Sequence, residues 1–137
     1  MKIHDISWPI STTMTSYKNQ YPVTITPLKE FEKDGVRLSA IACSNHTGTH
    51  VDAPSHFLKD GITIDQMTLE SLCGDAVVLD CTDLEEKITA ADLEIHEEKI
   101  KKDLFILFKT KNSFLNNDAP FDFNFVYLEQ SAAQFLV

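Results

Sequence analysis

"VRLSAIACSNHTGTHVDAPSHF", residues 36–57, joins two patterns, and the fold turns on how they meet. In its first half Val36, Leu38, Ala40 and Ala42 fall on one face, with Arg37, Ser39, Ile41 and Cys43 on the other. That alternation is the period of a strand. The second half holds three of the chain's five histidines within eleven residues, with one aspartate among them. Thr47, Gly48 and Thr49 are poor helix formers, so a tight turn rather than a helix is expected to carry His46 and His50. Pro54 pushes Ala53 toward extended geometry. Alternate residues of an extended segment point the same way, which predicts His50, Asp52, Pro54 and His56 on one side. His46 then returns across the turn to join them.

Imidazole and carboxylate together suit zinc, manganese or ferrous iron. Two imidazoles and one carboxylate with an open position make a catalytic rather than a closed structural site. Such a metal activates water at neutral pH, and a third histidine nearby serves a second metal or moves protons. Gly48 is expected to take positive φ or to let the backbone approach the ion. The plain alternative is a surface loop whose histidines happen to cluster.

Other candidates are weaker. "HEEKI", residues 96–100, begins like a zincin helix, but Ile100 stands where a second histidine belongs, so it reads as a solvated face. His4 reads as a structural histidine and Cys43 as a buried, inert thiol beside the cluster. Trp8 and Phe57 are candidates to line an apolar pocket for an aromatic substrate, with core packing the alternative for each. No phosphate-cradling glycine loop and no G-x-S-x-G elbow is present.

Outward from the cluster, "IHDISWPI" predicts a short strand ending at Pro9, and residues 10–35 a long loop with one extended piece. "TLESLCG" predicts a short helix ending at Gly74, and "AVVLD" a buried strand. "ITAADLEIH" carries a helix start, with Thr89 as N-cap, Asp92 three residues on and Ile88 placed to staple against Leu93. "LFILF", residues 104–108, predicts a central strand. "LEQSAAQFLV" places Leu128, Ala132, Phe135 and Leu136 on one helical face. Strands and helices alternate in the second half, so the class is α/β or mixed.

With 137 residues the chain fits one domain with a core of its own. Its net charge of −9 argues against nucleic acid and against anionic membrane surfaces. "MKIHDISWPI" has no apolar core of signal-peptide length, and no stretch is long enough to span a bilayer. Three cysteines without a CxxC pair suit a reducing cytoplasm.

"HTGTHVDAPSHF" resembles the H-x-G-T-H-x-D-x-P-x-H-F signature of the metal-dependent cyclase family, which includes bacterial kynurenine formamidases and isatin hydrolases. "HDISWPIS" is similar to the family's opening strand, and "FDFNFVYLEQSAAQFLV" to the segment before its last metal-binding stretch. The resemblance implies a swivelling β/α/β fold, usually oligomeric, that hydrolyses amide bonds through metal-activated water. By position it implies His46, His50 and Asp52 as metal ligands, and His56 as either ligand or catalytic acid/base. The implied metal is Zn2+, with Mn2+ or Fe2+ as alternatives. The implied substrate is an amide or cyclic amide such as N-formylkynurenine. Two departures accompany it. The family carries a proline-glycine turn where this chain has "SYKNQYP", and it draws a further histidine and glutamate from later residues with no counterpart here. The expectation is therefore a single cyclase-like domain over 1–137 that lacks the family's C-terminal part and is incomplete as an enzyme. A second copy or a partner chain is expected to cover its terminal helix. The alternative is a shortened, weakly active or inactive relative that binds metal or a partner.

Overall fold

The computed structural model describes residues 4–102 and 104–137. The chain groups into two compact units. One comprises the residues up to Val51 with Asn116–Phe123, the other Asp52–Leu115 with Asn124–Val137.

The first unit is built on a hairpin of β1 (Thr24–Lys29) and β2 (Leu38–Ala42). The strands pair antiparallel, Thr24 with Ala42 and Thr26 with Ala40, and the register shifts between Pro27 and Lys29. Pro27 has no N–H to give the ladder, which is why the irregularity falls there. The helical turn α1 (Phe31–Asp34) connects them and ends on Gly35 at φ 69, a left-handed cap. The alternating stretch is thus a strand, and it runs directly into the histidine turn. It has no buried face, however: Leu38 and Ile41, on opposite sides, are both exposed. All five residues of β2 are exposed, so alternation alone did not secure burial.

The opening strand is not formed among residues 4–10. Local hydrogen bonds take its backbone instead. Asp5 Oδ1 accepts the Ser7 N–H at 2.9 Å, and Thr49 Oγ1 accepts the Trp8 N–H at 3.0 Å. An Asx-type turn competes with a ladder in this way. The predicted extended piece within 10–35 is β1.

The second unit holds the core. β3 (Ala76–Asp80) and β5 (Phe105–Lys109) pair parallel, and so do β4 (Lys87–Ile88) and β6 (Tyr127–Leu128). The helices α2 (Ala90–Glu94) and α3 (Gln130–Phe135) lie between and after them in sequence. Leu79, Cys81, Ile88, Leu93, Val126 and Ala132 form the buried cluster. Full burial of a leucine such as Leu79 or Leu93 contributes about 1.5–3 kcal/mol. Burial pushes the Cys81 thiol up, with the carboxylates of Asp83, Asp80 and Asp92 adding to it.

The start of α2 follows the sequence reading: Asp92 accepts the Thr89 N–H at 2.7 Å and its hydroxyl at 2.6 Å. Ile88 and Leu93 both belong to the buried core cluster. "TLESLCG" forms a 3₁₀ turn, Leu69–Leu72. Three expectations need correction. β3 sinks Leu79 but leaves Val78 exposed, so it is not buried on both faces. β5 belongs to a two-stranded sheet among the described residues and is not central; Ile106 and Phe108 pack on the core while Phe105 and Leu107 are exposed. Leu128 lies in β6 rather than on the terminal helix, because its N-terminal neighbour pairs with Lys87 and the helix begins only after Glu129. Ala132, Phe135 and Leu136 do join the core. The mixed α/β class stands.

Candidate metal centre

The histidine segment is a turn followed by an extended stretch. Asn45 and His46 turn, residues 47–49 bend, and Gly48 takes φ +60, the left-handed region open to glycine. Its α-carbon can sit there because the chain must reverse between His46 and His50. Two short bonds hold the reversal. Ser44 Oγ accepts the His46 N–H at 3.0 Å, and His50 Nδ1 lies 2.9 Å from the Gly48 carbonyl oxygen.

The second bond fixes the chemistry of His50. A carbonyl oxygen can only accept, so Nδ1 carries the proton and Nε2 presents a lone pair. That lone pair faces His46 Nδ1 at 3.1 Å, with the two rings edge-on and 5.1 Å apart between centroids. One ring nitrogen tied to a backbone carbonyl and the other turned outward is how metal-binding histidines are oriented. Two nitrogens about 2.0–2.1 Å from a tetrahedral ion stand about 3.3 Å apart, close to the separation seen here. Asp52 completes the group. His46, His50 and Asp52 each offer a ligand atom, and all three atoms lie within 4.8 Å of one another. His46 is half-buried, while His50 and Asp52 are exposed. The donor set fits a divalent ion that keeps open positions.

Ala53 is extended at φ −72 and ψ 152, as Pro54 requires. There the predicted parity ends. Pro54–His56 is a 3₁₀ turn with the proline at its start, where a fixed φ suits a helical turn. His56 therefore does not continue the line of His50 and Asp52, and it is outside the group of three. It is exposed and meets Phe57 edge-on, 4.3 Å between centroids. The turn is closed by the Ser55 N–H donating to the Ile62 carbonyl at 3.1 Å.

Trp8 is tied to the same turn through its backbone bond to Thr49, and its side chain is exposed. Phe57 is 87% exposed and lies outside the buried cluster of the described residues. Cys43 is exposed, not the buried thiol expected. His4 is exposed, and the 3₁₀ turn Glu97–Lys99 is solvated as read. The reading of single residues missed Ser44 and the Gly48 carbonyl as supports of the turn. The available signal was Ser44 two residues before His46, the spacing of a serine side-chain turn.

Residues 4–137 match the family model described as "Putative cyclase". The kynurenine formamidase of Bacillus anthracis is 30% identical over 118 residues, 85% of this chain and 54% of that protein. The kynurenine formamidase of Erythrobacter litoralis is 33% identical over 87 residues, 64% of this chain and 38% of that protein. A solved structure described as a "potential metal-dependent hydrolase with cyclase activity" superposes with a TM-score of 0.80 at 34% identity, covering 98% of this chain and 62% of the other. A "predicted metal-dependent hydrolase from Bacillus stearothermophilus" gives 0.77 at 34% identity, covering 98% and 63%. The chain spans about half the length of the Bacillus relative. Among the described residues no helix is long and apolar enough to cross a membrane.

Proposed function

The chain belongs to the cyclase family, and on that premise we propose that its histidine turn is part of the metal centre of an amide hydrolase acting on an arylformamide or a cyclic aryl amide. The observation that carries this is the grouping of His46, His50 and Asp52 within 4.8 Å. These three residues would hold a divalent ion, Zn2+ before Mn2+ or Fe2+. When bound, such an ion supplies water activation near neutral pH and Lewis-acid polarisation of a carbonyl.

The chain's own residues do the rest. The Gly48 carbonyl keeps the proton on His50 Nδ1, so Nε2 stays a donor of electrons. Ser44 fixes the His46 backbone from the strand side. Asp52 contributes negative charge that favours a cation over two neutral rings. His56 takes the role of general acid, giving a proton to the departing amine nitrogen. Trp8 and Phe57 are exposed aromatic surfaces for an aryl substrate. The setting is the cytoplasm, and the oligomer is a homo-oligomer or includes a chain that covers α3.

A second reading is a metal-binding relative without turnover. The observation favouring it is the count of donors: one group of three is found among the described residues. Metal analysis of chelator-free protein, followed by N-formylkynurenine hydrolysis with added Zn2+ or Mn2+, tests both. Stoichiometric metal with turnover supports the hydrolase. Stoichiometric metal without turnover supports the second reading, and no metal at all refutes both.

A further inference from the structure

The histidine turn has an entry and an exit, and they are anchored differently. At the entry β2 ends on Ala42 and leads straight into Cys43 and Ser44. At the exit stands Thr49, between Gly48 and His50. Ser44 and the Gly48 carbonyl shape the turn through bonds that each span two residues. Bonds so local set the curvature of the turn, but they tie its exit to nothing else.

Thr49 supplies the long-range tie. Its Oγ1 accepts the Trp8 N–H at 3.0 Å, across 41 residues of sequence. The same hydroxyl donates to the Ile6 carbonyl at 3.4 Å, a long bond, across 43 residues. A hydroxyl can donate and accept at once, so one side chain stands in for a strand partner to Ile6 and Trp8. A second contact joins the same segments. A β-carbon on Gly48 would stand 3.4 Å from Met14 Cε and 3.9 Å from Ile10 Cγ1, so both side chains lie close to the bare glycine, and Met14 is buried. The apolar contact excludes water, while the hydroxyl bonds fix a position. All of these residues belong to the first unit.

We propose that Thr49 is a positioning residue of the metal centre, whose hydroxyl, bound to Ile6 and Trp8, holds His50 at the distance from His46 that a shared ion needs. The proposal rests on the metal-centre reading of the histidine turn. His46 follows β2 closely, and its place is set from that side. His50 adjoins Thr49, and its Nε2 stands 3.1 Å from His46 Nδ1. With the exit of the turn loose, that separation has to be found again whenever an ion binds, and the freedom then lost weakens affinity. With the exit tied, the same freedom is already lost on folding. Valine keeps the shape of threonine without the hydroxyl, and serine keeps the hydroxyl without the methyl, so the two variants separate the bond from the packing.

Zn2+ affinity of the full chain is measured by calorimetry. Thr49→Val should bind about fivefold more weakly, the worth of one hydrogen bond, and Thr49→Ser should stay within about twofold. Thr47→Val removes a hydroxyl from the same turn without touching the tie and should also stay within about twofold. Visible absorption of bound Co2+, read at saturation so that affinity does not enter, should change in Thr49→Val and not in Thr49→Ser. Coupling between two equilibria is reciprocal, so Zn2+ must tighten the tie by the factor the tie adds to Zn2+ affinity. Exchange of the Trp8 amide hydrogen in the unsubstituted chain should therefore slow about fivefold when Zn2+ is bound, a readout that needs no variant. Bound Zn2+ that leaves this exchange rate unmoved would overturn the proposal and spare the metal-centre reading. So would a folded Thr49→Val protein with unchanged affinity and spectrum, or a Thr49→Ser protein as weak as Thr49→Val. Failure of the unsubstituted chain to bind Zn2+ at all would overturn the metal-centre reading and the proposal with it.

Discussion

Gly61→Ala should disturb the His56 turn more than its conservative character suggests. A β-carbon at Gly61 would stand 2.5 Å from the Pro54 carbonyl carbon, 2.6 Å from the Ser55 nitrogen and 2.7 Å from the Pro54 oxygen. All three are backbone atoms and cannot rotate away. Restoring an ordinary 3.4 Å contact requires the two segments to part by about 0.9 Å. The bond from the Ser55 N–H to the Ile62 carbonyl, 3.1 Å long, spans the same gap and would be lost. A lost hydrogen bond costs about 0.5–1.5 kcal/mol and overpacking about 1–3 kcal/mol, so the expected destabilisation is about 2–4 kcal/mol. In a chain of this size that lowers the thermal midpoint by roughly 10 °C. Gly35→Ala is the control. Its φ is +69 and nothing lies within 4 Å of the new carbon, so only backbone strain of about 1–2 kcal/mol is expected. Urea unfolding followed by circular dichroism measures both, and the amide shifts of Ser55 and His56 report the turn itself. A Gly61→Ala protein as stable as the Gly35→Ala control, with those shifts unmoved, would refute the reasoning.

His50→Ala should lower affinity for Zn2+ by more than about tenfold, read by elemental analysis after dialysis against a weak chelator; full retention would remove His50 from the ligand set. Leu79→Ala, at a position with 0% exposure, should cost about 2–5 kcal/mol in urea unfolding, and a cost under about 1 kcal/mol would show that the site collapses around the loss. Asp80 is held at a pKa of about 2, first by the Thr82 hydroxyl and N–H and then by Lys109. Its folded value lies below its unfolded one, so its contribution to stability is present above about pH 4 and lost as pH falls toward 2. Carboxyl NMR titration should show Thr82→Val raising that pKa, and an unchanged value would assign the shift to another group.

Much of this was legible because it is local. A strand ending in a turn, Gly48 at positive φ and the capped start of α2 each depend on residues within a few positions. His56 was misplaced because extended parity was carried through Pro54, where the proline instead begins a 3₁₀ turn. The opening strand failed because Asp5 and Thr49 take the hydrogen bonds a ladder would need. The run at Lys18, Asn19 and Tyr21, strained at positive φ, had no sequence signal at all, since its support comes from Phe121, about a hundred residues away. Parallel pairing of β3 with β5 is equally invisible to periodicity, which tells which face is apolar but not which strand is next.

The same pairings set a timetable. In the hairpin, Pro27 stands opposite Ser39, and the loop to be closed is short. Closing a loop of about ten residues takes about 10–100 ns, and a hairpin zips within about 1–10 μs. Asp80 must instead find Lys109, and Ile88 must find Leu128. These closures lose more chain entropy before any contact rewards them, and parallel pairing is slower still. The strand that ends in the histidine turn is then among the first parts to take shape, before the second unit has closed its core. In a stopped-flow experiment, fluorescence of Trp8, whose backbone is held by that turn, should change ahead of the far-ultraviolet signal from α2 and α3.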